Sequence, residues 1–407
     1  MDSSLGGKIK KESDDGDHTR LSTREKKGHQ KRSVGLILFF LLPFWMFLLW
    51  FFSPCVEKSV FIMDKTVPNQ NFQEHKAFFW VLRYLKWVKP DDSFYNPSDD
   101  YYGFFPVEPG LSYFVDDLEH VNSQDLELLA DSVDMAVFLD GYGVYRQDWW
   151  GRRDGDEISR LYGGISLQDI RFLELLQSQG KPAMAEFSFL GSPTPYDVRR
   201  RIEKSFNLKS TGWTGRYFDD LDILNTDIPR WIFETYQEQY DTIWELKGPG
   251  TILVHENGTI LILQAEKHLR TYWPVVSTDK AWQKKLRVPD EIRYPFWFEI
   301  IAAGPEYTMI SEFYLDVTEA GDSLLSLHNV PNAFPATLIR REPSPFLYYA
   351  GDFSDTRVNL RTAHLWGIQY FRSLFYNEGE PLDRDKFFWD YYINVTKGFL
   401  RGDVWGR

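Results

Sequence analysis

A chain of 407 residues with 46 Lys/Arg against 59 Asp/Glu carries a net charge of −13, a balance that argues against nucleic acid as a partner, because phosphate binding runs on positive charge. Its one cysteine, Cys55, excludes an intramolecular disulfide. The eight His are scattered without the close spacing of a zinc motif, so no cofactor is expected from the composition.

The first 32 residues hold nine Lys/Arg against six Asp/Glu and few apolar groups, the composition of a disordered tail. Val34 to Phe52 follows, nineteen residues without a charge. As a helix this run would measure roughly 28 Å, close to the hydrocarbon thickness of a bilayer. A single membrane anchor over residues 33–53 is expected, with Pro43 as a kink. Arg20, Arg24, Lys26, Lys27, Lys31 and Arg32 crowd its N-terminal flank, which places the tail in the cytoplasm and everything after Ser53 on the far side, the single-pass type II layout. Scarce cysteine in a domain facing an oxidising space favours a bacterial envelope over a eukaryotic secretory pathway. Residues 54–76 read as a stem.

From Ser123 the chain alternates helix and strand. Asn122 and Asp125 cap a short helix ending near Asp131, and the apolar strand Met135 to Leu139 runs into the turn Asp140-Gly141-Tyr142-Gly143. Ser166 and Asp169 cap a helix with Leu167, Ile170, Leu173 and Leu176 on one face, and Gly180 closes it. Strand Ala183 to Phe189 follows, then Thr194, Pro195 and Asp197 open a helix carrying Val198, Ile202 and Phe206. Such alternation predicts a mostly parallel sheet with helices on its faces. In the second half, two apolar runs flank Asn257-Gly258, a hairpin signal in which both turn residues accept positive φ. Runs at Tyr294 to Ile301, Tyr307 to Val317 and Phe346 to Ala350 predict antiparallel β additions, and a last helix is expected from Leu360 to Phe375. The expected fold is therefore α/β: a single N-terminal transmembrane helix, an α/β domain over residues 77–263, and a β-rich extension with a C-terminal helix over 264–407, separate from the first domain or continuous with it.

The order of strand, Asp140-Gly141-Tyr142-Gly143, Tyr162-Gly163-Gly164-Ile165 leading into a helix, Pro182-Ala183-Met184-Ala185-Glu186-Phe187, and a helix with Arg199, Arg200 and Glu203 ending at Phe206-Asn207-Leu208 resembles a class I glutamine amidotransferase-like domain. The likeness is to the degenerate branch with the trehalose-utilisation-type proteins and covers about Tyr101 to Leu263. In the amidotransferases proper, the nucleophile is a cysteine on a tight strand-to-helix elbow. No cysteine stands there in this chain, so the resemblance implies the fold and argues against amide hydrolysis by that route.

In an open parallel sheet, ligands bind beyond the carboxyl ends of the strands, which is where Asp140 and Glu186 are expected to emerge. Two carboxylates facing one crevice are the acid and base of a glycoside hydrolase, and Gly351-Asp352-Phe353-Ser354-Asp355 adds acids able to join them. Tyr142, Gly163, Gly164, Arg216 and Asp219 are the candidate ligand contacts. Asp220-Leu221-Asp222 reads as an Asp-x-Asp that would hold a divalent cation in a type II membrane glycosyltransferase; the plainer reading of each acid is a cap on a turn. An aromatic content of 17% suits a surface on which sugar rings stack. Three functions stay open: a catalytically silent module binding a carbohydrate, an envelope ligand or a protein, the hydrolase, and the transferase.

Overall fold

The computed structural model describes residues 41–150 and 159–406. They fall into two compact units, and the smaller contains helix α1 (Leu42–Phe52) with residues His364–Trp366. Within it, Met46 and Trp50 are buried, the Trp50 ring lies 4.4 Å from that of His364, and the Trp366 N–H donates to Met46 O at 3.1 Å. These observations overturn the membrane anchor. Residues 34–40 of the predicted span, like the predicted tail, lie outside the described residues. The remainder is an 11-residue helix, about 17 Å long against the ~30 Å of a hydrocarbon core. No helix among the described residues is long and apolar enough to cross a membrane. Pro43 sits in the first turn of α1, where its missing N–H costs no helical bond.

The larger unit is built on strands β1 (Val60–Asp64), β2 (Tyr102–Glu108), β3 (Ser112–Asp116), β4 (Met135–Phe138), β5 (Ala183–Ala185), β6 (Leu208–Phe218), β7 (Gly250–His255), β8 (Ile260–Gln264), β9 (Val275–Thr278), β10 (Glu291–Arg293), β11 (Phe298–Ala303), β12 (Tyr307–Tyr314), β13 (Ala333–Arg340) and β14 (Phe346–Tyr349). Ten form one sheet in the order β10-β9-β12-β13-β14-β5-β4-β1-β2-β3. The sheet is mixed rather than mostly parallel. It is parallel from β14 through β5, β4 and β1 to β2, and antiparallel on both flanks. The reason is chain length: five residues join β13 to β14, far too few for the crossover that a parallel pair needs. Val60–Asp64, assigned to a stem from sequence, is a central strand with all five residues buried.

Taken alone, the parallel strands run β2-β1-β4-β5-β14, the doubly wound order whose direction reverses between β1 and β4. Helices α2 (Gln73–Tyr84), α3 (Ser123–Ser132), α4 (Leu167–Ser178) and α5 (Tyr196–Phe206) flank them. Alternation along β1 sorts the faces. The Phe61 ring packs 4.6 Å from Phe172 of α4, whereas Asp64, three residues on, meets His75 of α2. On the α2 side, Trp80 lies edge-on to Phe388 and Trp389 of a C-terminal helical run, which continues through a π-helical turn (Phe388–Tyr392) into α6 (Ile393–Leu400).

Local signals were accurate where side chains closed their own bonds. Asn122 accepts the Asp125 N–H, and Ser166 with Asp169 makes a complete capping box. In the hairpin β7–β8, Gly258 takes φ +92° and Asn257 Oδ1 accepts the Thr259 N–H at 2.9 Å. Thr194 does not cap α5; its hydroxyl accepts the Ile165 N–H at 3.0 Å instead. The helix expected over Leu360 to Phe375 is two 3-10 segments, Leu360–His364 and Ile368–Leu374. Strands β8-β7-β6-β11 form a second, antiparallel sheet, joined to the first where the Glu299 N–H donates to Ala350 O at 2.8 Å.

The tie between β1 and α4 is ionic. Lys65 Nζ lies 2.7 Å from Asp169 Oδ2 and donates to Gly164 O at 3.0 Å, and both side chains are fully buried. Removing one partner of a buried pair strands the other charge, which costs about 3–5 kcal/mol, while apolar replacement of both is often close to neutral. Asp169→Ala should therefore lower the stability of the full chain by that amount in urea unfolding, and Lys65→Met combined with Asp169→Leu should lose much less. Equal losses from single and double variants would show that the pair is not what secures α4.

Candidate functional site

Each of four neighbouring parallel strands ends in an acid. Asp64 closes β1, Asp140 follows β4, Glu186 follows β5, and Asp352 follows β14. A desolvated carboxylate must be paired or hold its proton, and these residues show both solutions. Asp64 is fully buried; its Oδ1 accepts the Thr66 N–H at 2.9 Å and its Oδ2 lies 2.8 Å from His75 Nδ1. The other imidazole nitrogen, Nε2, lies 2.8 Å from Pro97 O, an acceptor only, so it carries a proton.

Asp140 accepts the Tyr142 N–H at 2.8 Å and bonds the Thr66 hydroxyl, and burial, with Asp64 nearby, pushes its pKa well up. Glu186 accepts the Ser354 N–H at 3.1 Å and the Tyr392 hydroxyl at 3.2 Å; burial and then Asp352 hold its pKa well above the usual range. Glu74 on α2 is raised by burial and then by Asp64. Asp352 is raised by burial and by Asp355. Arg384 answers both, at 3.6 Å from Asp352 Oδ2 and 2.6 Å from Asp355 Oδ2, with its guanidinium 3.6 Å from the Phe296 ring centroid. Burial works against the Arg384 charge, but Asp355 and Asp352 outweigh it and raise its pKa.

The two expected catalytic acids follow neighbouring strands, one residue apart in register. Phe138 pairs with Ala185, so one step on Glu186 stands beside Leu139, while Asp140 follows in the turn, where Asp64 and Asp355 are among the charges it feels and Asp352 in turn feels it. Each has its own partners and no hydrogen bond joins them. Glu186 instead shares its side with Asp64 and α2. Arg216, on β6, does reach the acid group: its guanidinium lies over Phe218, Phe296 and Trp297, and Asp352 and Asp355 are among the charges it feels. Tyr142 is exposed and tilted on Tyr145 at 4.8 Å. Gly163 and Gly164 have a structural reason. At φ +132°, a Cβ on Gly163 would lie 2.4 Å from Gly143 Cα, so two backbones cross there, and Gly164 O receives Lys65.

Asp219 lies exposed beyond β6. Asp220 Oδ1 accepts the N–H groups of Asp222 and Gly248, while Asp222 accepts that of Leu224 and pairs with Lys247, so both acids organise a turn. Among the described residues, no group of three or more His, Cys, Asp or Glu is arranged to hold a metal ion. Where an elbow nucleophile would follow β5, Ser188 takes φ +61°, and Cys55 is exposed ahead of β1. Asp64, Glu74, His75, Tyr392 and Arg384 were missed from sequence. A signal for the first was present, since Val60-Phe61-Ile62-Met63-Asp64 repeats the apolar-run-to-carboxylate pattern of Met135 to Asp140.

No family model and no curated protein matches the chain. Among solved structures, a ThuA-like protein from Parabacteroides merdae ATCC 43184 is similar over 73% of this chain and 79% of its own, at 11% identity and a TM-score of 0.31. At that similarity the strand order and register, not the neighbour, describe the fold.

Glu299 on β11 borders this end of β14. It is buried, Tyr348 donates to its Oε1, its Oε2 has no partner, and burial pushes its pKa up to about 8 from 4.5. The folded chain thus keeps a proton that the unfolded chain loses near pH 4.5, so this group's contribution to stability falls as pH rises from about 4.5 to 8. Glu299→Gln removes that slope. Urea unfolding at pH 5 to 8 should show the variant gaining on the native chain by about 1.4 kcal/mol per pH unit; parallel profiles would mean that Glu299 does not titrate this way.

Proposed function

We propose that the larger unit is a binding module without cysteine-based amide hydrolysis, and that its ligand is a carbohydrate held at the carboxyl-end crevice of the parallel strands. The observation that supports this most is the half-buried Trp297 held beside the acids, its backbone carbonyl receiving the Asp352 N–H at 3.1 Å while Arg216, over its ring, feels Asp352 and Asp355. Carboxylates accept hydrogen bonds from sugar hydroxyls, and aromatic rings cover the apolar faces of sugar rings. This position is on the carboxyl-end side of the parallel strands, the side on which doubly wound sheets bind ligands, two strands from the reversal between β1 and β4. Asp140 and Glu186 have separate hydrogen-bond partners and none in common, so binding rather than an acid–base pair on one glycosidic bond is the reading preferred.

Thermal unfolding of the full chain against neutral and acidic oligosaccharides tests this reading. A ligand at a hundred times its Kd adds about 2.7 kcal/mol to the folded state, which should raise Tm by several degrees, and Asp352→Asn or Trp297→Ala should abolish the shift. A panel without any shift would overturn the carbohydrate assignment in favour of a protein partner.

A further inference from the structure

The carbohydrate reading leaves one group on the crevice wall without a role. Arg216 enters from β6 with its side chain 17% exposed, and its Nε has no hydrogen-bond partner. Its guanidinium carbon lies 4.8 Å from the Phe218 ring centroid, 6.0 Å from that of Phe296 and 5.8 Å from that of Trp297. The neighbouring cation, Arg384, is answered by Asp352 and Asp355. Asp352 and Asp355 act on Arg216 only at longer range, and among the described residues it has one ion-pair partner, Asp227, at 3.5 Å and 57% exposed. A pair with so open a partner at that distance contributes little. Burial, and then Arg384, lower the pKa of Arg216, the response of a cation short of compensation.

We infer that Arg216 receives a carboxylate carried by the ligand, so that the saccharide bound here is a uronic acid or another carboxylated sugar. The inference rests on the carbohydrate reading and narrows it. The planar guanidinium fork matches a carboxylate in bidentate geometry. Trp297, one of the rings under Arg216, is the one proposed to cover the sugar, so a carboxyl substituent on a stacked ring lies within its reach. Charge selects carboxylate over phosphate. A phosphate monoester carries up to two negative charges close to Asp227, Asp352 and Asp355, whereas a carboxylate brings one and need displace only the exposed Asp227 side chain.

The test compares tetrasaccharides of galacturonate, glucuronate and mannuronate, each as free acid and as methyl ester, by calorimetric titration of the full chain. Acid and ester share a skeleton and differ in charge. At least one free acid should bind tenfold or more tighter than its ester. Arg216→Gln should erase that preference while leaving ester binding within about twofold, and Asp227→Asn should tighten the acid two- to threefold by freeing the guanidinium. The Asp227 variant lies on the surface and serves if Arg216→Gln does not fold. Acid and ester binding equally, a preference that survives Arg216→Gln, or a sugar phosphate outcompeting every acid would each overturn the carboxylate assignment while leaving the carbohydrate reading in place. No binding by any saccharide, neutral or acidic, would remove both.

Discussion

A carboxylate at the end of a buried strand has few stable states, and four adjacent strands of this sheet impose that condition side by side. Central parallel strands are covered on both faces, so their carboxyl ends are where an ionisable side chain can emerge. Asp64, Asp140, Glu186 and Asp352 all stand there. They draw partners from distant parts of the chain: His75 from α2, Ser354 from the loop after β14, and Tyr392 and Arg384 from the C-terminal run. Several elements are thereby held against one edge of the sheet. Burial favours the protonated form of Asp140, of Glu186 and, despite Arg384, of Asp352.

The antiparallel parts complete this edge from the other side. Between β5 and β14 the chain builds the second sheet and most of the antiparallel flank, and it returns with only five residues from β13 to β14. That excursion delivers Arg216 on β6 and the Phe296-Trp297 pair ahead of β11. The parallel strands thus bring acids to this end of the sheet, and the excursion brings aromatic rings and a cation. Glu299 lies at the seam where the two sheets meet, held by Tyr348 across it.

How much could be read from the chain depended on the range of the interaction. The capping boxes, the strand Met135 to Phe138 and the Asn257-Gly258 hairpin are settled by bonds between residues a few positions apart, and they form as expected. The Asp-x-Asp string has a similarly local origin, since Asp220 and Asp222 bond the backbone of their own turn. Errors arose where one local pattern served two structures. An apolar run long enough for a bilayer contributes a helix of 11 described residues that buries Trp50 beside His364. Reading that run as an anchor turned the following residues into a stem and hid Val60–Asp64, the strand on which the sheet is centred. The glycines at 163 and 164 were visible as unusual, yet Gly163 answers to a crossing with Gly143 twenty residues earlier and Gly164 to the approach of Pro193.

By itself the sequence determined the α/β alternation, the helix caps, the hairpin, the acidic balance and the lack of an elbow cysteine, because these follow from composition or from neighbours within a few residues. Only the tertiary structure decided which partners Asp140 and Glu186 take, and that Arg216 and Arg384, far apart in the chain, stand on the same aromatic ring. Register has a period of two, so a single residue changes which face a carboxylate takes. Nor does sequence spacing record which distant cation a fold brings to it.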